Sequence, residues 1–318
     1  MRQLRKRGAA LVCLILLAAA LAGCGSRTDL EEPEELSVYA SFYPIYAVAA
    51  MITEDVPDLR LNCLVQPQDG CLRSYVLSDW DMALLASADA LIVGGQGLES
   101  FEATLEIWDE KPFALTEALY NVELIKQPAQ NSDPDGETHW LDANPHIYMS
   151  VDGAIEMAGR IAQSMAVLDP RYADLYLENL ERAEEQLRSL KEEISAETES
   201  ISGKRAAVLN EALVYAARDY GLEAALYWDR DSGESMGETD LEALTAALKE
   251  NGIRVVLIEK QAPQSLLEAL EHSGIAVAAL DVLSTRRANE GYAAYFAVQR
   301  ANAAAVREAY LSIPEDDA

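Results

Sequence analysis

The chain has 318 residues, half of them hydrophobic, and carries 25 Lys and Arg against 54 Asp and Glu for a net charge of −29. So acidic a polypeptide is repelled by phosphate backbones, which excludes nucleic acid as a partner, while the charge is spread along the chain and marks no single site. Only three histidines and four cysteines are present, so imidazole and thiol chemistry is confined to a few positions.

Arg2, Arg5, Lys6 and Arg7 precede an uncharged apolar run from Ala9 to Ala22. This is the pattern of an export signal, and the run is shorter than the ~20 residues a membrane-spanning helix requires. It ends in Leu21-Ala22-Gly23-Cys24, which is similar to a bacterial lipoprotein processing box. Residues 1–23 are therefore expected to be removed, leaving a lipidated Cys24 that anchors the chain to the outer face of the cell membrane; an ordinary signal peptide or an uncleaved anchor is the competing reading. Removing residues 1–23 takes away four basic residues and no acidic ones, so the exported chain keeps 21 basic against 54 acidic residues, a net of −33. Residues 24–35, polar and acidic around Pro33, read as a tether. What remains exceeds one comfortable core, so two domains are expected.

From Leu36 onward, short β-branched or apolar runs alternate with helical periodicity. Strands are expected at Leu36–Ala40, Leu59–Val65, Ala90–Gly94 and Val122–Ile125, with helices over Ile45–Ile52, Asp79–Ala88 and Leu98–Trp108. Cys63 and Cys71 close a loop after the second strand. In an oxidising compartment they are expected to form a disulfide worth on the order of 2.5 kcal/mol in the chain-entropy model; a pair of thiolate metal ligands is the alternative. Gly94-Gly95-Gln96-Gly97 lacks the dinucleotide fingerprint, so it reads as a tight turn. His139 and His146 follow, the second on the short turn Asn144-Pro145-His146-Ile147-Tyr148-Met149-Ser150 just ahead of a long helical pattern.

Between Pro170 and residue 202, Tyr172, Leu175, Tyr176, Leu180, Ala183, Leu187, Leu190 and Ile194 recur at helical spacing, and Pro170 suits a helix start. A helix of that length runs about 45 Å, enough to act as a strut between two lobes. The stripe is short and mixes Ala and Tyr with Leu, which favours a strut in a monomer over a coiled-coil dimer. Alternation then resumes with strands at Ala206–Leu209, Ala224–Trp228, Val255–Glu259 and Val277–Asp281, and helices beginning near Glu211, Glu238, Pro263 and Asn289. The expected architecture is α/β: an N-terminal lobe over 36–169, a connecting helix over 170–202 and a C-terminal lobe over 203–318.

Several segments resemble, in order, the zinc- and manganese-specific solute-binding lipoproteins of bacterial ABC importers. Tyr39-Ala40-Ser41-Phe42-Tyr43-Pro44-Ile45-Tyr46 is similar to that family's opening strand, Gly97-Leu98-Glu99 to a family turn, and the His146 turn to its second metal-ligand signature. Asn210 to Leu222, ending in Tyr220-Gly221-Leu222, is similar to its third, and Leu280-Asp281-Val282-Leu283 to its last. The resemblance implies two lobes joined by a single long helix, a divalent zinc or manganese ion as cargo, and delivery to a membrane permease with its ATPase. It also implies a site of two histidines from the first lobe, a histidine or glutamate from the second, and a carboxylate at the final strand end.

Carried over residue by residue, that site is altered. The first histidine falls on Arg73, whose guanidinium has no lone pair to give, and Tyr75 lies beside it. The third position falls on Asn210, with the Glu211 carboxylate one residue away. His146 and Asp281 match. Glu259 closes a neighbouring strand, where ligands gather in open α/β sheets.

Three outcomes follow for the cleft. In the first, a transition metal is held by His146, Asp281 and Glu211, with Asn210, His139 or a cysteine completing the shell, although a lone loop histidine such as His139 is more often a bystander. Alternatively, Arg73 pairs with Asp281 or clamps a small anion. In the third, the fold serves as a surface interaction module without a small ligand. No nucleophile motif such as Gly-x-Ser-x-Gly occurs, so the chain is expected not to be an enzyme. His272, at the end of a helical pattern, reads as a cation favourable to the helix dipole.

Overall fold

The computed structural model describes residues 35–67, 75–108, 113–128, 140–228 and 235–314, and residues 36–318 cluster as one compact unit. Two four-stranded parallel sheets organise it. The first has the order β2-β1-β3-β4, from β1 (Leu36–Ala40), β2 (Leu59–Cys63), β3 (Ala90–Val93) and β4 (Ala114–Glu117). The second has the order β10-β9-β7-β8, from β7 (Arg205–Val208), β8 (Glu223–Tyr227), β9 (Val255–Glu259) and β10 (Ala276–Leu280). A short antiparallel pair, β5 (Lys126–Pro128) and β6 (Trp140–Ala143), stands apart. Every residue of the inner strands β3 and β9 is buried, as expected where helices cover both faces of a parallel sheet.

The helices are α1 (Tyr43–Ile52), α2 (Asp79–Leu85), α3 (Glu102–Ile107), α4 (Val151–Leu168), α5 (Ala173–Thr198), α6 (Leu213–Asp219), α7 (Glu238–Glu250), α8 (Gln264–His272) and α9 (Ala293–Leu311). Ser78 starts α2 through a capping box, its hydroxyl accepting the Asp81 N–H while the Asp81 carboxylate accepts the Ser78 N–H at 2.8 Å. His272 sits in the last turn of α8 with Nδ1 2.6 Å from the Glu268 carbonyl, so its ring serves the helix end as the sequence suggests.

The long connecting helix is present: α5 is flanked by 3₁₀ turns at Pro170–Tyr172 and Glu199–Ile201. Its buried face, Tyr176, Asn179, Ala183, Leu187, Leu190, Ile194 and Thr198, repeats at three- and four-residue intervals and joins the chain's own core. The stripe is thus consumed within the molecule. Asn179 Nδ2 donates to the carbonyls of Ile52 and Glu54, both at 2.8 Å. Lys191 reaches Asp152 of α4 at 2.7 Å, and Arg300 of α9 reaches Glu193 at 2.5 Å.

Two expectations need correction. Val122–Ile125 is not a strand; its backbone turns toward other elements, with the Ile125 N–H donating to the Tyr215 hydroxyl at 3.0 Å and its carbonyl accepting from Asn144 at 2.9 Å. The fourth strand of the first sheet is β4, short and mostly exposed at a sheet edge, where Ala114 and Leu115 are too few to set up an alternating apolar pattern. The helix expected from Leu98 begins only at Glu102, because the Gly95 and Gly97 backbones hold positive φ and keep the preceding turn out of the helix.

Candidate functional site

Because all four strands of each sheet run parallel, their C-terminal ends gather on one edge, and chemistry expected at strand ends meets there. In the second sheet, Leu280 pairs with Glu259 and Val208 with Leu257, which places Asp281, Glu259, Asn210 and Glu211 side by side beyond the strands.

His146 reaches this row from the first lobe. It precedes the 3₁₀ turn Ile147–Met149, which packs so closely on the first turn of α4 that a Cβ on Gly153 would lie 2.2 Å from the Ile147 carbonyl oxygen. Gly153 therefore permits the turn. The imidazole is 3% exposed and stands against Tyr148, whose ring meets Phe42 edge to face at 5.3 Å, so the opening segment after β1 forms its wall.

Asn144 orients the ring. Its Nδ2 donates to the Glu211 carbonyl at 2.9 Å, which fixes the amide so that Oδ1 faces His146. Oδ1 accepts the His146 N–H at 3.0 Å and lies 2.9 Å from Nδ1. An amide oxygen can only accept, so Nδ1 carries the proton. Nε2 then points at Glu211 Oε1, 3.6 Å away, across the junction of the two lobes. The Asn144 carbonyl accepts from the Tyr215 hydroxyl of α6 at 2.9 Å, a second tie between lobes at the same point.

Asn210, on which register places the third ligand position, bonds to its own loop and to the neighbouring strand. Its Oδ1 accepts the Ala212 N–H at 3.0 Å, and its Nδ2 lies 3.4 Å from Oε2 of the fully buried Glu259. It is Glu211, one residue on, that faces His146.

Asp281, at the far end of the row, is already engaged. Its N–H donates to Asn302 Oδ1 and its carbonyl accepts from Asn302 Nδ2, both at 2.9 Å, so an amide on α9 splints the end of β10. Its Oδ1 accepts the Leu283 N–H at 2.8 Å; its Oδ2 accepts from Arg286 Nε at 3.1 Å and from Arg286 Nη2. Arg286 also donates to Glu290 at 3.0 Å, and the two carboxylates, Asp281 foremost, raise its guanidinium pKa. Among the described residues it is Arg286 whose guanidinium lies on Asp281; Arg73, offered by the sequence as one alternative partner, lies outside the described residues. The same helix, α9, donates from Tyr295 to the Tyr148 carbonyl at 3.1 Å and from Gln299 to the Met149 carbonyl at 3.3 Å, coupling the His146 turn to Asp281.

The remaining candidates divide simply. Tyr75 serves the first lobe, donating its hydroxyl to Asp81 at 2.9 Å and packing edge to face on Phe101. Cys63 is a free thiol in this structure, its Sγ 3.4 Å from the Val65 carbonyl, so the expected disulfide is not present at Cys63. Burial pushes that thiol up to about 12, so it is protonated near neutrality and makes a poor metal ligand. Cys24, Cys71, Arg73 and His139 lie outside the described residues. Among the described residues, no three His, Cys, Asp or Glu side chains converge closely enough to hold a metal ion.

In the first sheet, the Gly94–Gly97 turn is held by Glu99. Its carboxylate accepts the Gly94 and Gly95 N–H groups at 2.7 and 3.1 Å and the Ser41 hydroxyl at 2.6 Å; complete burial, partly offset by these donors, pushes it up to about 7. Asn144, Asn302 and Arg286 were missed in the sequence. Asn144 stands inside the His146 motif, and Arg286 is the first of two adjacent arginines in the short loop five residues past Asp281, which is the one signal that marks it.

The chain is similar to known proteins along most of its length. The chain is 22% identical over 302 residues to the zinc-binding lipoprotein AdcA of Streptococcus pneumoniae (strain ATCC BAA-255 / R6), covering 92% of this chain but only 59% of AdcA's length. It is 24% identical over 272 residues to the manganese-binding lipoprotein MntA of Halalkalibacterium halodurans, covering 83% of this chain and 85% of that protein. The crystal structure of the Zn(II)-bound ZnuA-like domain of Streptococcus pneumoniae AdcA superposes with a TM-score of 0.71 at 21% identity, covering 86% of this chain and 98% of that domain, a likeness of fold. The profile of the zinc-uptake complex component A periplasmic family, ZnuA, matches residues 38–309, and the chain belongs to that family.

Proposed function

We propose that this chain is the extracytoplasmic solute-binding lipoprotein of an ABC importer, anchored through Cys24, which captures a divalent transition metal between its lobes and passes it to a membrane permease driven by an ATPase. It performs no chemistry on its cargo. The observation that carries the reading is the pair His146 and Glu211: one nitrogen and one carboxylate oxygen, from different lobes, facing each other at 3.6 Å. Two ligands on one tetrahedral ion with bonds of ~2.0–2.1 Å lie about 3.4 Å apart, so this spacing suits an ion between them. The bond from Nδ1 to Asn144 is the kind of outer contact that fixes a ligating imidazole.

The fit is incomplete. Asp281 bonds to Arg286 and Asn210 Oδ1 to the Ala212 N–H, so His146 and Glu211 are the donors proposed among the described residues, with His139 as a third. A site of this kind holds zinc or manganese with a Kd on the order of micromolar, weaker than a complete four-donor shell. The anion reading gains nothing from Arg286, whose guanidinium is already shared by two carboxylates.

Titration calorimetry with zinc and with manganese tests the proposal. Saturable binding that His146→Ala removes is the expected result. Binding unaffected by His146→Ala, or none up to high micromolar metal, would sink it.

A further inference from the structure

Building on His146 and Glu211 as the seat of a cation, we propose that Arg286 is a tethered counter-cation, which occupies the Asp281 carboxylate in place of a divalent ion and sets how tightly the cleft holds one. Arg286 belongs to none of the segments that resemble the family's ligand signatures. Its place is defined by the structure.

The loop after β10 is built to deliver this guanidinium. The Leu283 N–H closes a turn onto Asp281 Oδ1, with Leu283 at a φ of 68°, a left-handed conformation that an apolar side chain rarely adopts. That strain reverses the chain tightly enough for Arg286 to return two N–H groups to Oδ2, through Nε at 3.1 Å and Nη2. Glu290 holds the arrangement from behind, accepting the Arg287 N–H at 2.8 Å with one oxygen and Arg286 Nη1 at 3.0 Å with the other. Three donors thus occupy most of the lone-pair directions of one carboxylate.

Exposure decides which partner can leave. The Asp281 side chain is 4% exposed and its backbone is splinted by Asn302, whereas the Arg286 side chain is 32% exposed. The carboxylate is fixed and the guanidinium has a route to solvent. A divalent ion gains a carboxylate donor only by displacing Arg286 toward Glu290 and water, and the apparent affinity falls by the cost of that displacement. The arrangement also keeps a buried carboxylate neutralised while no ion is present.

Zinc calorimetry on the full chain in detergent, comparing wild type, Arg286→Met and Arg286→Lys, tests the proposal. Removing the guanidinium is expected to raise zinc affinity about tenfold, with a smaller gain of about threefold for lysine, which keeps charge but loses the two-pronged contact. Adding Asp281→Asn to Arg286→Met should erase the gain, since the gain comes from the freed carboxylate. If Arg286→Met is too unstable without metal, Arg286→Lys alone carries the comparison.

Zinc binding by wild type with no gain in either variant overturns the role of Arg286 and leaves the cation reading standing. Binding by a variant but not by wild type establishes Arg286 as the block and removes metal capture by the natural chain. Absence of binding in all of them overturns both.

Discussion

The two ends of the row at the second sheet's edge each join an acid to a base, and they differ in how the pair is made. His146 and Glu211 come from different lobes and meet at 3.6 Å, close enough to share an ion. Asp281 and Arg286 lie five residues apart in one loop and meet in a two-pronged contact that a third group, Glu290, reinforces. A contact assembled from distant parts of the chain is adjustable by small lobe movements. One built within a loop comes complete. The first end is therefore the receptive one, and the second carries a cation of its own.

Breaking the receptive end should have the largest effect: Glu211→Ala is expected to weaken zinc binding by about 100-fold in calorimetry, while leaving the unfolding midpoint nearly unchanged. At the other end, Asn302→Ala removes both amide bonds that splint Asp281, and chemical denaturation should show a loss of about 2–3 kcal/mol.

Between the ends, Asp219 crosses from the second lobe to cap α4, accepting the Val151 N–H at 2.8 Å and the Ser150 hydroxyl at 2.9 Å. Burial outweighs these bonds and pushes its carboxyl up to about 6 from an ordinary 3.8. Native protein then binds this proton more tightly than unfolded chain, so its contribution is full below about pH 4 and fades as pH rises through 6, by on the order of 2 kcal/mol. Asp219→Asn, measured across that window, should flatten this part of the stability profile. The smallest effect is on the ring that faces the cation: Asn144→Ala should cost about tenfold in zinc affinity by freeing the imidazole to turn, and no loss would mean the Nδ1 contact is idle.

Much of the architecture was legible because it rests on periodicity. The strands Leu36–Ala40, Ala90–Val93 and Val255–Glu259 bury both faces or alternate cleanly, and the long helix carries its stripe at regular intervals. Strand β4 was illegible because an exposed edge strand needs no apolar pattern, and Val122–Ile125 misled because apolar residues also line a crossing segment. At the candidate site, His146 and Glu211, which face each other at 3.6 Å, are both residues that the sequence singles out by type and position. The contact between Asp281 and Arg286 was not legible, since nothing in residue type or spacing announces the turn closed by Leu283 that brings the guanidinium back.

The connecting helix α5 has a kinetic consequence. It is bonded to the first lobe through Asn179 at the end of α1 and Lys191 at α4, and to α9 of the second through Glu193, so a wide swing of either lobe would break that lobe's own attachments to the helix. If the chain carries a metal ion as proposed, exchange without such a swing is governed by the lifetime of the ion's own bonds, and affinity differences are then read out mainly as differences in dissociation rate. In a molecule braced this way, residence time belongs to the few side chains that touch the ion. On the proposed reading, the scaffold limits how far those side chains can separate while one ion is traded for the next.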